Sequence, residues 1–195
     1  MFTGIITDLG KIVEIKNTDS VYYKIAVNSS FTKDLKLGDS ISIDGTCLTV
    51  INFGQDFFEL QLIPETVAKT AFKYKQIGST VNLEKALKIG DKLDGHLVQG
   101  HIDEVAKVIH FTHNQDNWVL EVEIPENYRK FIAYKGSICL NGVSLTVSKK
   151  TPTGLEVSLI KHTIENTNLG DLKTGDILNF EVDVIARYVE NMIIK

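Results

Sequence analysis

The sequence predicts an all-β protein: two tandem six-stranded antiparallel barrels followed by one helix. Three observations predict it. A stretch near residue 45 recurs near residue 142, the segments between turns are short and rich in β-formers, and the final residues have helical spacing with no counterpart earlier in the chain. The repeat is Gly45-Thr46-Cys47-Leu48-Thr49-Val50 against Gly142-Val143-Ser144-Leu145-Thr146-Val147, 97 residues on. Residues 37–50 set on 134–147 give six identities in fourteen. Residues 61–86 set on 158–183 give seven in twenty-six, including Leu62/Leu159, Ile63/Ile160, Thr66/Thr163, Thr70/Thr167 and Gly78/Gly175. Residues 4–12 align on 100–108 at an offset of 96. Self-similarity at a fixed period takes precedence in choosing an architecture. A period this long suits two whole domains rather than solenoid units.

Each element has its own signal. Residues 5–15 are rich in Ile and Val and read as a strand, as do 21–27. Lys36-Leu37-Gly38-Asp39 turns into a third strand at 40–43. Asp44-Gly45 is a tight-turn pair leading into a fourth, 47–52. Residues 57–62 alternate and make the fifth. Pro64 opens a helix over 65–74, since proline suits the first helical turn. Gln76-Ile77-Gly78-Ser79 turns into a sixth strand at 80–83. Short strands, regular turns and one short helix indicate a small barrel, and closing the sheet removes its edges. The second half repeats the order, with strands near 100–109, 117–124, 137–140, 143–149, 155–160 and 177–182, and a helix near 163–169. A linker over 86–94 adds a helical turn at 86–89. It separates barrels at 1–85 and 95–183. In the tail, 184–195, Val184, Ile185, Tyr188, Val189, Met192 and Ile193 recur at helical spacing. That apolar stripe needs a cover, either its own barrel or another subunit.

Composition narrows the function classes. The net charge is -4, with scattered Lys and Arg, which argues against a nucleic-acid partner. The start of the chain has no basic region and only a very short apolar run, unlike a signal peptide. No stretch approaches the length of a membrane span. The two cysteines, Cys47 and Cys139, read as free thiols in a reducing cytoplasm.

Several residues could carry chemistry. His96 and His101 stand in Gly95-His96-Leu97-Val98-Gln99-Gly100-His101. Read as a strand, residues five apart face opposite ways and do not converge on a metal ion. Cys47 is either a nucleophile or a small buried residue. Its repeat partner is Ser144, and residues i and i+2 of a strand share a face. Cys47 with Thr49, and Ser144 with Thr146, therefore each put two small polar groups on one face. Lys135, Asp183, His162 and Glu65 are ordinary surface types taken singly. There is no phosphate-binding glycine loop and no nucleophile elbow. The residues alone predict two similar polar pockets and leave the ligand unnamed.

Met1-Phe2-Thr3-Gly4-Ile5, the duplicated Gly-x-[Cys/Ser]-Leu-Thr-Val strands, the 95–101 stretch, Tyr134-Lys135-Gly136 and Leu62-Ile63-Pro64-Glu65-Thr66 together resemble riboflavin synthase of the alpha-chain type. The resemblance spans the chain. It implies Greek-key barrels and the last step of riboflavin biosynthesis. Two molecules of 6,7-dimethyl-8-ribityllumazine exchange a four-carbon unit, giving riboflavin and 5-amino-6-ribitylamino-uracil. No cofactor and no metal are implied, because the substrate supplies both partners. The implied protein is a cytoplasmic homotrimer with a pteridine substrate, and its tail helix assembles the trimer. An association with lumazine synthase is left undetermined.

The ligand-contacting segments of the family carry over by motif. In the N-terminal barrel they fall on Gly4, Ile5 and Ile6, on Cys47, Leu48 and Thr49, and on Gln61, Leu62, Ile63, Pro64, Glu65 and Thr66. In the C-terminal barrel they fall on Gly100, His101 and Ile102, on Lys135, on Ser144, Leu145 and Thr146, and on Ser158, Leu159, Ile160, Lys161, His162 and Thr163. The implied catalytic set is Ser144, His101, Cys47 and Thr146, with Asp183 and Lys135 in support. One departure stands out: Lys161-His162-Thr163 replaces the Pro-Glu-Thr seen at 64–66, so a carboxylate is missing from the second half. The alternative is a non-catalytic lumazine carrier of the same fold.

Overall fold

The computed structural model describes residues 1–114 and 117–193. Its first half is a closed antiparallel barrel of β1 (Asp8–Asn17), β2 (Val21–Ala26), β3 (Ser40–Ile43), β4 (Thr46–Phe53), β5 (Phe57–Leu62) and β6 (Thr80–Lys85). The order around it is β1-β2-β5-β4-β3-β6, a Greek key. The second half holds β7 (Glu104–Asn114), β8 (Asn117–Glu123), β9 (Ser137–Leu140), β10 (Val143–Lys150), β11 (Gly154–Leu159) and β12 (Ile177–Val182). It closes in the same order. Even the bulges repeat, between Ile12 and Glu14 and between Val108 and His110, at matched places in β1 and β7. Inward residues such as Ile25, Phe58, Leu60 and Leu83 fill the first core, and Val108, Leu120, Val157 and Phe180 the second.

Four short helices accompany the strands: α1 (Ser29–Thr32), α2 (Pro64–Lys69), α3 (Lys161–Asn166) and α4 (Val184–Ile193). The single helices expected at 65–74 and 163–169 are each broken in two. Thr70 and Thr167 are extended, and their hydroxyls accept from Phe72 N and Leu169 N to start separate 3-10 turns at Ala71–Tyr74 and Asn168–Asp171. The linker holds no helical turn at 86–89. There the Asp91 side chain accepts from Lys88 N, and Asp91 N donates back to Lys88 O, closing a tight turn. Helix α1 and a 3-10 turn at Glu126–Phe131 carry no sequence signal strong enough to be expected. The tail helix is present as α4, and residues 194–195 of its expected span lie outside the described residues.

The first strand starts at Asp8 instead of residue 5, and the seventh at Glu104 instead of 100. The residues before them leave their own sheet and reach the opposite barrel. Phe2 and Val98 make the crossing point, exchanging N–H···O bonds of 2.7 and 3.1 Å. Their side chains are fully buried with Cys139.

The barrels meet at their hairpin tips. Asp44-Gly45 and Asn141-Gly142 both have left-handed φ, as the tight turn requires. The tips touch so closely that a Cβ on Gly45 would lie 2.9 Å from Gly142 N, and one on Gly142 2.7 Å from Gly45 N. Asparagines cross this contact in both directions. Asn82 Nδ2 donates to Asn141 O at 2.8 Å, and Asn179 Nδ2 donates to Asp44 O at 2.8 Å. Asn179 Oδ1 also accepts from Ala71 N. The fully buried Asp44 carboxylate is neutralised by Lys75 at 2.5 Å. Buried polar groups are tolerated only when they are paired this way.

Asn179→Ala leaves Ala71 N and Asp44 O buried without these partners. It is expected to lower stability by about 2–6 kcal/mol, since each of the two orphaned groups costs roughly 1–3 kcal/mol. Urea unfolding checks this, and an unshifted midpoint contradicts it.

Candidate functional site

Cys47 and Thr49 lie on the outer face of β4, while Leu48 and Val50 point into the core. Ser144 and Thr146 repeat this on β10, with Val147 in the core. Neither polar strand is bare. Cys47 N donates to Gly100 O at 2.9 Å, and Ser144 N donates to Gly4 O at 2.8 Å. The sequence grouped Gly4–Ile6 with Cys47 and Gly100–Ile102 with Ser144; the structure exchanges them. Each half sends a strap of backbone across the crossing point to the other barrel's polar strand.

The strap glycines are required by this approach. Gly4 (φ +77) would carry a Cβ 2.6 Å from Ser144 Cβ, and Gly100 (φ +80) one 2.5 Å from Cys47 Cβ. Neither clash could be relieved without moving the strap. Ile6 packs against the C-terminal core, which anchors its strap there.

The first half-site is a cleft of about 280 Å³ lined by Cys47, Glu65, Thr66, Lys69, His101 and Ile102, among others. Its volume is near the lower end for small-molecule pockets. Helix α2 supplies Glu65 and Lys69, paired at 3.0 Å and both well exposed. Pro64 at the first helical position sets the start of that helix. Gln61 and Ile63 are exposed beside it, whereas Leu62 belongs to the core.

The second half-site is centred on Ser144. Its Oγ lies 2.6 Å from His96 Nδ1. Burial pushes the His96 imidazole below its ordinary value of 6.5, and the nearby charge of Asp183 opposes that shift. The ring is therefore neutral near pH 7 and able to take a proton. Asp183 also caps α4, accepting from Ile185 N at 2.9 Å. His96 was not among the expected catalytic residues. The first half of the chain has no residue at the matching position, so the repeat could not flag it. The 95–101 stretch is irregular where a strand is expected, and its two histidines go to different half-sites, His96 to Ser144 and His101 to the Cys47 cleft.

On α3, His162 and Asn166 occupy the repeat positions of Glu65 and Lys69 on α2, and the Asn166 side chain donates to His162 O at 2.8 Å. Ser158, Ile160 and Lys161 are exposed, Thr163 is half-buried and Leu159 is in the core. Leu145 is half-buried against the core. Lys135 is exposed at φ 64, where the repeat has Gly38 at φ 88. A lysine in a glycine conformation stores local strain, a feature concentrated at functional sites. Among the described residues, no group of three His, Cys, Asp or Glu gathers that could hold a metal ion.

Residues 3–86 and 99–183 each match the lumazine binding domain family. The whole chain aligns with a riboflavin synthase of Photobacterium phosphoreum at 38% identity, covering 89% of that protein. It aligns equally fully with that of Bacillus subtilis (strain 168) at 34%, covering 91%. The chain belongs to the riboflavin synthase family. Solved structures of LumP with 6,7-dimethyl-8-(1'-D-ribityl) lumazine and with riboflavin superpose with TM-scores of 0.85 and 0.87, at 27% identity. Each covers 93% of this chain and 99% of LumP. Within this riboflavin synthase fold, the two matched domains stop short of the crossing point, leaving residues 87–98 between them.

The two thiols differ. Burial pushes the Cys139 thiol well above its ordinary value, while Cys47 is half-buried at the cleft. A thiol reagent should titrate one cysteine in the native protein and two after unfolding without reductant. A count of zero after unfolding would show a disulfide instead.

Proposed function

We propose that this protein is a riboflavin synthase acting on two molecules of 6,7-dimethyl-8-ribityllumazine. The observation that carries this reading is that both polar strands keep their chemistry: Cys47 beside the His101 strap, and Ser144 bonded to His96. The reaction needs two pteridines held close together and protons moved, and no outside reagent. Holding reactants in place supplies much of the barrier reduction in such a reaction. In this reading His101 moves the proton of the C7 methyl of one lumazine. The Ser144 hydroxyl, backed by neutral His96, acts at C7 of the other. Cys47 and Thr146 position the rings, and Lys135 and Asp183 support the C-terminal half-site with charge. His162 replaces a carboxylate, so the ribityl chain is held differently there than in the N-terminal half-site.

The substrate sites complete each other between subunits of a homotrimer in the cytoplasm. Ile185, Tyr188, Val189, Met192 and Ile193 of α4 are 46–78% exposed in the single chain. Of the two covers offered by the sequence, this exposure supports another subunit. A shared site also excludes water from a reactive carbanion. A carrier is the second reading, favoured by the LumP likeness. It has no use for a Ser144–His96 pair.

Purified protein given only the lumazine should form one riboflavin for every two lumazines consumed, with EDTA causing no loss. Ser144→Ala and His101→Ala should each lower turnover by roughly 100-fold or more, as for a proton-transfer group. A protein that binds the lumazine and leaves its absorbance unchanged for hours is a carrier.

Sedimentation equilibrium should give a trimer at micromolar concentration. Deleting the chain after Arg187 should lower the association state and leave both barrels folded. A monomeric wild type contradicts the assembly reading.

A further inference from the structure

The mechanism above leaves two buried glutamates unused. Glu84 on β6 and Glu181 on β12 are repeat partners, 4% and 1% exposed. Neither pairs with a cation within salt-bridge distance among the described residues; each accepts from the backbone of a strap. Glu84 accepts from Thr3 N at 2.6 Å, Thr3 Oγ1 at 2.7 Å and Gly4 N at 3.0 Å. Glu181 accepts from Gln99 N at 2.8 Å, Gly100 N at 2.9 Å and His101 N at 3.0 Å. Three consecutive N–H groups aimed at one carboxylate make a fixed backbone hook, because charge-assisted bonds are the strong ones.

Resting on the riboflavin synthase reading, we infer that Glu181 is a positioning residue for the N-terminal half-site. It holds Gly100 and His101, which belong to the C-terminal half, over Cys47 on β4. The hook closes a short path: Glu181 to His101 N, and Gly100 O to Cys47 N. Helix α4 grips the same strap from outside. Arg187 donates to Gln99 Oε1, to His101 O at 3.0 Å and to Asp103 Oδ2 at 2.8 Å. Glu84 does the equivalent for the strap that carries Gly4 to Ser144.

The hook works only as a carboxylate. Protonation turns one acceptor into a donor facing N–H groups that have no other partner. Burial raises the Glu181 pKa from 4.5 to about 6, while the three N–H bonds and Arg187 draw it down. The titratable groups that face it are Arg187 from α4 and the Cys139 thiol opposite it on β9, with Asp103 tied to Arg187.

The sign separates positioning from bulk stability. A carboxylate whose folded pKa is raised is a cost to folding above about 6, and that cost disappears as pH falls towards 4.5. Acid therefore removes the hook while it relieves the fold.

The test is steady-state turnover of 6,7-dimethyl-8-ribityllumazine from pH 5 to 8, with thermal unfolding in parallel, for wild type, Glu181→Gln and Glu181→Asp. At pH 7.5 both variants should lose about 10- to 100-fold in kcat, the range for a reacting group displaced by about 1 Å. Below about pH 6 the kcat advantage of wild type over Glu181→Gln should shrink, while its unfolding temperature relative to that variant should rise. If Glu181→Gln does not fold, Glu181→Asp keeps the charge but falls one methylene short, and its kcat at pH 7.5 decides. Variants within twofold of wild type in kcat, or kcat and stability ratios that fall together with acid, overturn the inference. A wild type that makes no riboflavin overturns the functional reading and this inference with it. A wild type that makes riboflavin alongside fully active variants overturns the inference alone.

Discussion

The contact between Gly45 and Gly142 is the constraint on which everything else depends. No side chain fits between the two hairpin tips, so the barrels approach to backbone distance. At that distance Asn82 and Asn179 reach across and replace water for the carbonyls of Asn141 and Asp44. An interface made only of apolar side chains would permit sliding. Buried amides with fixed partners do not, because any slip leaves several of them unpaired. The barrels are thus set in a single relation, and the short segments preceding β1 and β7 can cross between them.

That crossing explains why a duplicated binding fold gives two half-sites that are not independent. Each polar strand receives its facing wall from the other half of the chain. Phe2 and Val98 lock the crossing, and a glutamate at the end of each barrel's last strand ties down its own strap. The symmetry is incomplete where chemistry differs. Ser144 has His96 beside it and Cys47 has His101 on its strap. Glu65 and Lys69 form an ion pair where the second half has His162 and Asn166. Such a difference suits a reaction that puts two identical molecules in different roles, because it gives them different surroundings.

Much of this was legible in the residues. The repeat gave two barrels because alternation and turn pairs such as Asp44-Gly45 act locally, and local signals survive in sequence. The polar faces of β4 and β10 followed from the two-residue period of a strand. The exchange of straps was not legible. Residues 4–6 and 100–102 look like the first residues of the strands they precede, and nothing local marks the crossing. Asn82/Asn179 and Glu84/Glu181 were among the seven matched identities of the longer block, but a polar residue on a buried strand has no periodic signature. Their meaning lies in partners about 40 to 140 residues away. His96 stands out in the sequence only beside His101, and with no repeat partner nothing ties it to Ser144, 48 residues away. The helix breaks at Thr70 and Thr167 were missed because a capping hydroxyl inside a helical pattern looks like an ordinary helix residue.

The central claim is that each pteridine is held by one barrel's polar strand and the other half's strap. A crystal structure with 6,7-dimethyl-8-ribityllumazine or an unreactive analogue tests it most directly. One ring should lie against Cys47 and Thr49 with His101 and Ile102 of the same chain over it, and a second against Ser144 with Gly4–Ile6 of the same chain. A ring that touches Cys47 together with Gly4–Ile6, or a C-terminal barrel that stays empty at saturating ligand, would contradict it.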